Sequence, residues 1–240
     1  MIIFGLNSIK EALKNKQNIE KVYIDFNRAK KEKYKEIINF LENLNIPYQK
    51  TKKSYIDKLT KTTKNQGICA IVASDNINIV DGLSLLNSLI KNNSYALALD
   101  GITEPQNLGL IIRSLVAFGG EGIFLEKRNS PPINEIVVKT SSGAIFHTKI
   151  AKVDSFLDLI EKIKEENINI YALETGGKDI RQEKIKLPAI VFIGSEGKGI
   201  RREILEKLEN ILTIPMTGKI PSLNVACATS ILCWEIFKNF

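Results

Sequence analysis

Residues 189–200 read Ala-Ile-Val-Phe-Ile-Gly-Ser-Glu-Gly-Lys-Gly-Ile. This segment is the clearest indication of the fold in the sequence. An uncharged apolar run that ends in turn residues is typical of a strand buried on both faces of a parallel sheet. The glycines that follow predict a loop held close to a ligand, with a flexible glycine turn as the alternative. The loop matches neither G-x-G-x-x-G nor G-x-x-x-x-G-K-[ST], which disfavours dinucleotide and Walker-type triphosphate sites. Glu196 would repel a phosphate and suits a cation or a hydroxyl-rich ligand.

Other parts of the chain extend this pattern on both sides. Apolar runs predict strands at 96–99, 122–125, 168–172 and 211–214, in addition to 189–193. Helical spacing occurs at 106–118, 154–166, 201–208 and from about 222 to 238. Strands that alternate with helices predict an α/β fold with a parallel sheet. Ligands of such sheets bind beyond the carboxyl ends of the strands, so site residues are expected there.

The first third of the chain predicts a smaller α/β layer structure. Helices are predicted at 7–14, 30–43 and 54–61, the first capped by Asn7, and strands at 21–25, 46–48 and 67–73. A stretch rich in Ser, Asn and Asp follows and continues into a helix. We therefore predict a front domain at 1–75, a linker at 76–94 and a second domain at 95–240.

The charge of the chain is divided unevenly between these parts. The net charge is +7, yet residues 1–75 hold 15 Lys and Arg against 8 Asp and Glu, while the remainder holds 19 of each kind. Such asymmetry favours a module that binds a polyanion, joined to a neutral module. Lysine is also a common solubilising residue, so charge alone leaves nucleic acid binding open.

Composition disfavours several classes of protein. The chain is 44% apolar and 25% charged, as folded soluble chains are, and no stretch approaches the roughly 20 apolar residues of a membrane helix. Cys69, Cys227 and Cys233 lack the spacing of a disulfide framework or a metal site, so we expect a reduced, cytoplasmic protein without a metal. The lone histidine, His147, lies in a strand-like context and is interpreted as structural. Without a second histidine there is no H-E-x-x-H motif.

Two further segments follow predicted strands. Residues 105–113 read Pro-Gln-Asn-Leu-Gly-Leu-Ile-Ile-Arg, where Pro105 is suited to open a helix and Arg113 falls on the face of Gly109. A phosphate would suit this helix start, because it carries the side-chain amide of Asn107, the accessible backbone of Gly109 and the guanidinium of Arg113. The alternative is a capped helix with an exposed arginine. Residues 222–228 read Ser-Leu-Asn-Val-Ala-Cys-Ala, where Ser222 is predicted to cap the last helix.

These three segments, in this order, resemble the SpoU branch of the SPOUT methyltransferases, also called the TrmH family. The front domain is similar as well, through residues 4–13 and the Gln-Gly-Ile at 66–68. The resemblance implies an L30e-like RNA-binding front domain and a SPOUT domain whose parallel sheet ends in a trefoil knot. It also implies a homodimer that transfers a methyl group from S-adenosylmethionine to a ribose 2′-hydroxyl of RNA. The two-domain architecture is similar to that of the family's ribosomal RNA enzymes, which implies a guanosine in large-subunit 23S RNA as substrate.

The resemblance also implies roles for particular residues. The catalytic and substrate positions of the family fall on Asn107, Arg113, Glu196, Ser222 and Asn224. The cofactor positions fall on Gly194, Ile214, Met216 and Leu223, with Thr140 and Ser141 closing the adenosine side.

The chain departs from the family pattern at two positions. Asn65 stands where a histidine commonly precedes Gln-Gly, which leaves an RNA contact open, and Pro221 replaces a polar residue before Ser222. Transfer RNA or another ribosomal site remains an alternative substrate. A non-catalytic RNA-binding protein of ribosome assembly is the alternative of a different class, and the presence of Arg113 and Asn224 argues against it.

Overall fold

A computed structural model of the chain describes residues 1–73 and 77–239. Residues 74–76, which include the start of the predicted linker, and residue 240 lie outside the described residues. The described chain forms two compact units. The first comprises Met1–Ile77 and Ile133–His147, and the second comprises Asn78–Pro132 and Thr148–Phe240.

The strands are β1 (Ile2–Phe4), β2 (Ile19–Asp25), β3 (Tyr48–Thr51), β4 (Ile68–Val72), β5 (Ile79–Val80), β6 (Tyr95–Asp100), β7 (Gly122–Glu126), β8 (Lys149–Val153), β9 (Asn169–Asp179), β10 (Ala189–Gly194) and β11 (Asn210–Thr213). The α-helices are α1 (Leu6–Lys14), α2 (Glu32–Asn43), α3 (Lys53–Thr60), α4 (Gly82–Asn92), α5 (Pro105–Ala117), α6 (Glu135–Thr140), α7 (Phe156–Lys164), α8 (Arg202–Leu205) and α9 (Val225–Phe237). None of these helices is long and apolar enough to span a membrane.

The first unit is built on a four-stranded sheet in the order β1-β4-β2-β3. The strands β2 and β3 are parallel, and the other two pairs are antiparallel. The predicted cap of α1 is wrong: Asn7 lies inside the first turn, and the N-cap position belongs to Gly5. The side chain of Gln66 accepts a hydrogen bond from the Leu6 N–H at 2.8 Å, and so satisfies one of the free donors of this helix end.

The segment Ile133–His147 belongs to the first unit, although the sequence division placed it in the second domain. It carries α6 and a 3₁₀ helix at Ala144–His147. The strand-like context expected for His147 is therefore wrong. The ring Nε2 of His147 lies 2.7 Å from a carboxylate oxygen of Glu11 on α1. Contacts of this kind agree with a structural role for the histidine.

Asn65 is fully buried in the first unit and organises the turn before β4. Its amide group donates to Asp57 at 2.7 Å, to Thr60 at 3.0 Å and to the Thr62 carbonyl at 2.7 Å. Its side-chain oxygen Oδ1 accepts from the Gly67 N–H at 2.8 Å. A buried amide satisfied on both sides is a structural element, because it fixes the turn and leaves no polar atom without a partner.

The second unit is built on a seven-stranded sheet in the order β11-β9-β10-β6-β7-β8-β5. Every pair in it is parallel, as the apolar strand patterns predicted. Its helices bury apolar faces against the sheet, with Phe156 of α7 packed edge-on against Phe192 of β10 at 5.5 Å between ring centroids. Most of the predicted linker belongs to this unit, because it forms the strand β5 and the helix α4. Asp81 is the N-cap of α4.

The order of the strands changes direction between β6 and β10. The chain leaves β6 toward its neighbour β7, whereas the other neighbour of β10 is β9. The last paired residues are Asp100 of β6 and Gly194 of β10, which lie side by side at the carboxyl ends. A crevice forms at such a reversal because the connections diverge to opposite sides, and ligands bind there.

Candidate active site

The glycine loop, residues 194–199, follows β10 and closes on itself. Ser195 and Gly199 exchange two backbone hydrogen bonds, of 3.2 and 2.9 Å. A Cβ atom on Gly194 would stand 2.0 Å from the carbonyl carbon of Gly199, so only glycine permits the two backbones to approach this closely. The loop is therefore a closed, hydrogen-bonded turn whose two ends lie against each other.

Arg201 anchors the carboxyl side of this loop to the ends of β6 and β7. Its backbone N–H and its Nε each donate to Asp100 at 2.7 Å, and its Nη2 lies 2.8 Å from a carboxylate oxygen of Glu126. The pKa of Arg201 is above its usual value. Partial burial opposes this shift, but the hydrogen bonds to Glu126 and Asp100 and the charges of these two carboxylates outweigh the effect of burial. No motif or spacing in the sequence predicted this anchor.

A polar cluster joins the glycine loop to the starts of α5 and α9. The side-chain amide of Asn224 donates to Asn107 at 3.2 Å and to Glu196 at 3.3 Å. The structure thus brings together three of the five residues that the resemblance assigned to catalysis and substrate.

The remaining two catalytic candidates have no hydrogen bond to this cluster in the described part of the chain. Ser222 lines the adjacent cavity, but it is not the cap of the last helix, so that prediction is wrong. Asn224 is the cap: α9 begins at Val225, and the side-chain Oδ1 of Asn224 accepts from the Ala226 N–H at 3.0 Å. Arg113 is exposed on α5 and makes no hydrogen bond or ion pair with the described residues.

A cavity of about 690 Å³ opens beside the glycine loop, within the second unit. Its walls include Gly194, Ile214, Met216 and Leu223, which are four of the six predicted cofactor residues. Pro221 also lines it, so the departure from the family pattern at that position lies on the cavity wall. The volume falls within the range of about 300–1,000 Å³ that small-molecule sites occupy.

The other two predicted cofactor residues lie in the first unit. Thr140 ends α6 and donates through its hydroxyl to the Ile136 carbonyl at 2.8 Å. The Ser141 side chain is buried and donates to the Val138 carbonyl at 3.1 Å. Both hydroxyls thus bond to the backbone of their own helix, and neither residue is in the cavity wall.

Sequence reasoning missed part of the cavity wall, above all Glu174 and Thr175. The signal was available, because Glu-Thr-Gly-Gly at 174–177 follows directly on the apolar run that predicted a strand at 168–172. Polar residues and glycines at the carboxyl end of a parallel strand meet the same criterion that selected the other segments.

Metal ligands and thiols were the other groups considered in the sequence, and two of the three cysteines are buried. Within residues 1–73 and 77–239, no group of three or more His, Cys, Asp or Glu residues is arranged to hold a metal ion. Burial raises the pKa of the Cys69 and Cys233 thiols to about 12, which keeps both protonated and unreactive at neutral pH.

Comparison with known proteins assigns both parts of the chain. Residues 94–234 match the model of the SpoU rRNA Methylase family, and residues 2–77 match that of the RNA 2′-O ribose methyltransferase substrate-binding domain. The chain belongs to the SpoU rRNA methylase family. The resemblance drawn from the three motifs is thereby confirmed.

Two bacterial relatives share the whole length of this SpoU family member. A TrmH family tRNA/rRNA methyltransferase of Staphylococcus saprophyticus is 32% identical over 240 residues, which are 100% of this chain and 96% of that protein. Another, from Bacillus subtilis, is 30% identical over 238 residues, with 99% and 95% coverage.

Solved structures share the fold. An RNA 2′-O ribose methyltransferase superposes with a TM-score of 0.81 at 19% identity, covering 100% of this chain and 88% of that one. The SpoU methyltransferase AviRb of Streptomyces viridochromogenes, crystallised with AdoMet, gives 0.75 at 20% identity, with 99% and 89% coverage. The predicted fold class, a small α/β front domain followed by the parallel sheet of a SPOUT methyltransferase, is confirmed.

Proposed function

We propose that the protein transfers a methyl group from S-adenosylmethionine to the ribose 2′-hydroxyl of a guanosine in large-subunit 23S ribosomal RNA. The observation that carries this proposal is the cluster of Asn107, Asn224 and Glu196 beside the cavity at the carboxyl ends of β6 and β10. Family membership and the two-domain architecture support it, as does the AdoMet found in the crystal structures of AviRb and of a Sinorhizobium meliloti rRNA methyltransferase.

The residues of the cavity fit the cofactor. Ile214, Leu223 and Val225 offer apolar contact for a nucleobase, and the close turn at Gly194 presents bare backbone to a ligand. Gly194, Ile214, Met216 and Leu223 would hold S-adenosylmethionine, which supplies, when bound, a methyl group on a sulfonium sulfur. The two predicted contacts from Thr140 and Ser141 remain proposals, since both lie in the first unit.

The polar cluster would orient the ribose hydroxyl for in-line attack on the methyl group. Glu196 Oε2 is an acceptor for the hydroxyl, and the Asn224 amide holds that carboxylate in place. Ser222 and Asn107 would hold the substrate on either side. Arg113 would position the RNA phosphate and stabilise the negative charge that develops on the hydroxyl oxygen. The methyl group would leave the sulfonium sulfur as a neutral thioether, and the proton of the hydroxyl would pass to solvent. We do not assign Arg113 the role of base, because a guanidinium stays protonated in proteins.

The front domain would supply affinity for RNA through its excess of cations. Phosphate contacts of this kind weaken steeply as salt rises. Phe26, Phe40 and Tyr55 are 51%, 51% and 44% exposed, and such rings can stack on unpaired bases. An RNA loop is therefore the expected target, because its bases and 2′-hydroxyls are accessible.

A homodimer would cover the apolar side chains that α5 and α9 expose. Leu110 on α5 is 41% exposed, and Ile231 and Trp234 on α9 are 37% and 49% exposed. Arg113 lies three residues after Leu110 and borders this face of α5. Sedimentation of the wild type and of Trp234→Asp would test the dimer, which the variant should dissociate.

Incubation with labelled S-adenosylmethionine and total bacterial RNA, followed by mapping of the label, tests the proposed function. We expect one ribose-methylated guanosine in 23S RNA. Label in transfer RNA or at another ribosomal site would redirect the substrate assignment. RNA binding without any label would favour the non-catalytic assembly protein instead.

A further inference from the structure

Glu174 lies in an outward bulge of β9 at the edge of the cavity. The strand β9 pairs with β11 at Ala172 and resumes only at Lys178, so residues 173–177 have no partners on β11. Bulges of this kind re-aim side chains, and they are over-represented next to active sites. Here the bulge places Glu174 and Thr175 in the cavity wall.

The carboxylate of Glu174 is held at the base of the glycine loop. Its Oε2 accepts from the Ile200 N–H at 3.1 Å, and its Oε1 accepts from the Thr175 N–H at 2.9 Å. A Cβ atom on Gly199 would stand 2.4 Å from Oε2, so the glycine leaves room for the carboxylate. A carboxylate has about four acceptor positions, and the Thr175 hydroxyl uses a third by donating to Oε1 at 3.3 Å. A ligand can use the fourth position and replace the hydroxyl of Thr175, which is an exposed residue.

The other carboxylate of the cavity wall has a different neighbourhood. Glu196 lies in the turn of the glycine loop and bonds to Asn224, on the side of the polar cluster. Glu174 bonds to Ile200, past the other end of that loop. The two carboxylates therefore lie on different sides of the cavity wall, Glu196 beside the polar cluster and Glu174 beyond the other end of the loop.

We propose that Glu174 is a cofactor-binding residue that accepts hydrogen bonds from the vicinal hydroxyls of a ribose. This inference rests on the proposed function, because it takes the ligand to be an adenosine derivative. A carboxylate is suited to a diol, since it accepts from hydroxyl donors and repels phosphate. In dinucleotide-binding folds an acidic residue binds ribose in the same manner.

The test measures binding rather than turnover, by calorimetry on the full chain. The ligands are S-adenosylhomocysteine, 5′-methylthioadenosine and the 2′,3′-dideoxy form of 5′-methylthioadenosine. The variant is Glu174→Gln, with Glu166→Gln as the control, because Glu166 is an exposed residue outside the cavity wall. Thermal unfolding of each variant checks that it is folded, and Glu174→Ala provides a second variant.

We expect Glu174→Gln to weaken S-adenosylhomocysteine and 5′-methylthioadenosine by about tenfold each, as loss of a charge-assisted hydrogen bond does. The dideoxy ligand should bind the wild type and Glu174→Gln alike, because the hydroxyl partners are absent from it. Glu166→Gln should match the wild type throughout.

Three results would overturn the inference. Equal weakening of the dideoxy ligand would show that Glu174 acts only on the shape of the loop. Weakening of S-adenosylhomocysteine alone would place Glu174 at the ammonium group of the ligand. A wild type that binds none of the three ligands would overturn the proposed function together with this inference, whereas the first two results leave that function standing.

Discussion

The side-chain amide of Asn224 donates a hydrogen bond to the side-chain oxygen of Asn107, 3.2 Å away and 117 residues earlier in the chain. The same side chain caps α9 through its oxygen and bonds to Glu196 through its nitrogen. One residue thus fixes a helix start and holds the candidate catalytic cluster. Because these tasks use different atoms, substitution can separate them.

Asn224→Asp should keep the stability of the protein and lose activity, because Asp retains the capping oxygen and lacks the amide donor. It also places a second carboxylate opposite Glu196. Asn224→Ala should lose activity and, in addition, about 1 kcal/mol of unfolding free energy, since the cap is removed. Chemical denaturation and methyl transfer to RNA measure the two effects. An Asp variant with wild-type turnover would rule out the role of the amide.

Arg113→Ala should reduce methyl transfer by at least about 100-fold, as removal of a charge-stabilising donor does in other enzymes. Cofactor binding should be unchanged, because Arg113 lies outside the cavity wall. Arg113→Lys should recover only part of the activity, since an ammonium lacks the planar fork. Arg128→Ala is the matched control, as it removes the same charge from another exposed arginine. Full activity of Arg113→Ala would refute the assigned role.

Arg201→Ala should destabilise the second unit by roughly 1–3 kcal/mol, because the carboxylate of Asp100 is 2% exposed and loses its charged donor. The neighbouring Arg202 is the control. Its side chain is 91% exposed and pairs with Glu206 one turn away, which is worth about 0.3–0.5 kcal/mol. Urea denaturation of both variants gives the comparison. Similar losses at the two positions would contradict the anchoring role of Arg201.

Glu121 gives the stability of the second unit a pH dependence. Burial alone raises the pKa of this carboxyl, but hydrogen bonds from Lys149, Ser88 and Asn92 outweigh it and lower the pKa below the usual 4.5. A carboxyl group whose pKa is lower in the folded state than in the unfolded state stabilises the folded protein at pH values above the unfolded-state pKa. That stabilisation is lost as the pH falls through the folded-state pKa.

The difference in unfolding free energy between the wild type and Glu121→Gln should therefore be constant near neutral pH and shrink as the pH falls below 4.5, the usual value of the glutamate pKa. Denaturation across this range measures it, with Glu166→Gln as the control. A difference that grew on acidification would contradict the direction of the shift.

The sequence predicted the long strands of the chain better than the short ones. Long uncharged runs such as 189–193 identify buried parallel strands, because only a strand covered on both faces tolerates them. The strands β1 and β5 have three and two residues, too few for a periodic pattern, and neither was predicted. The strand β8 was also not predicted, because Ala151 breaks the alternation of apolar and polar residues along it. The choice between Ser222 and Asn224 as helix cap was open locally, because both residue types cap well.

By itself, then, the amino-acid sequence determined the alternation of strands and helices, the parallel sheet and the segments that end at its carboxyl edge, because hydrophobic period and turn residues are local properties. Only the tertiary structure decided which side chains meet. Hydrogen bonds from Asn224 to Asn107, from Arg201 to Asp100 and from Ile200 to Glu174 join residues 26 to 117 positions apart. Such contacts depend on the order and register of the strands, which no local pattern encodes.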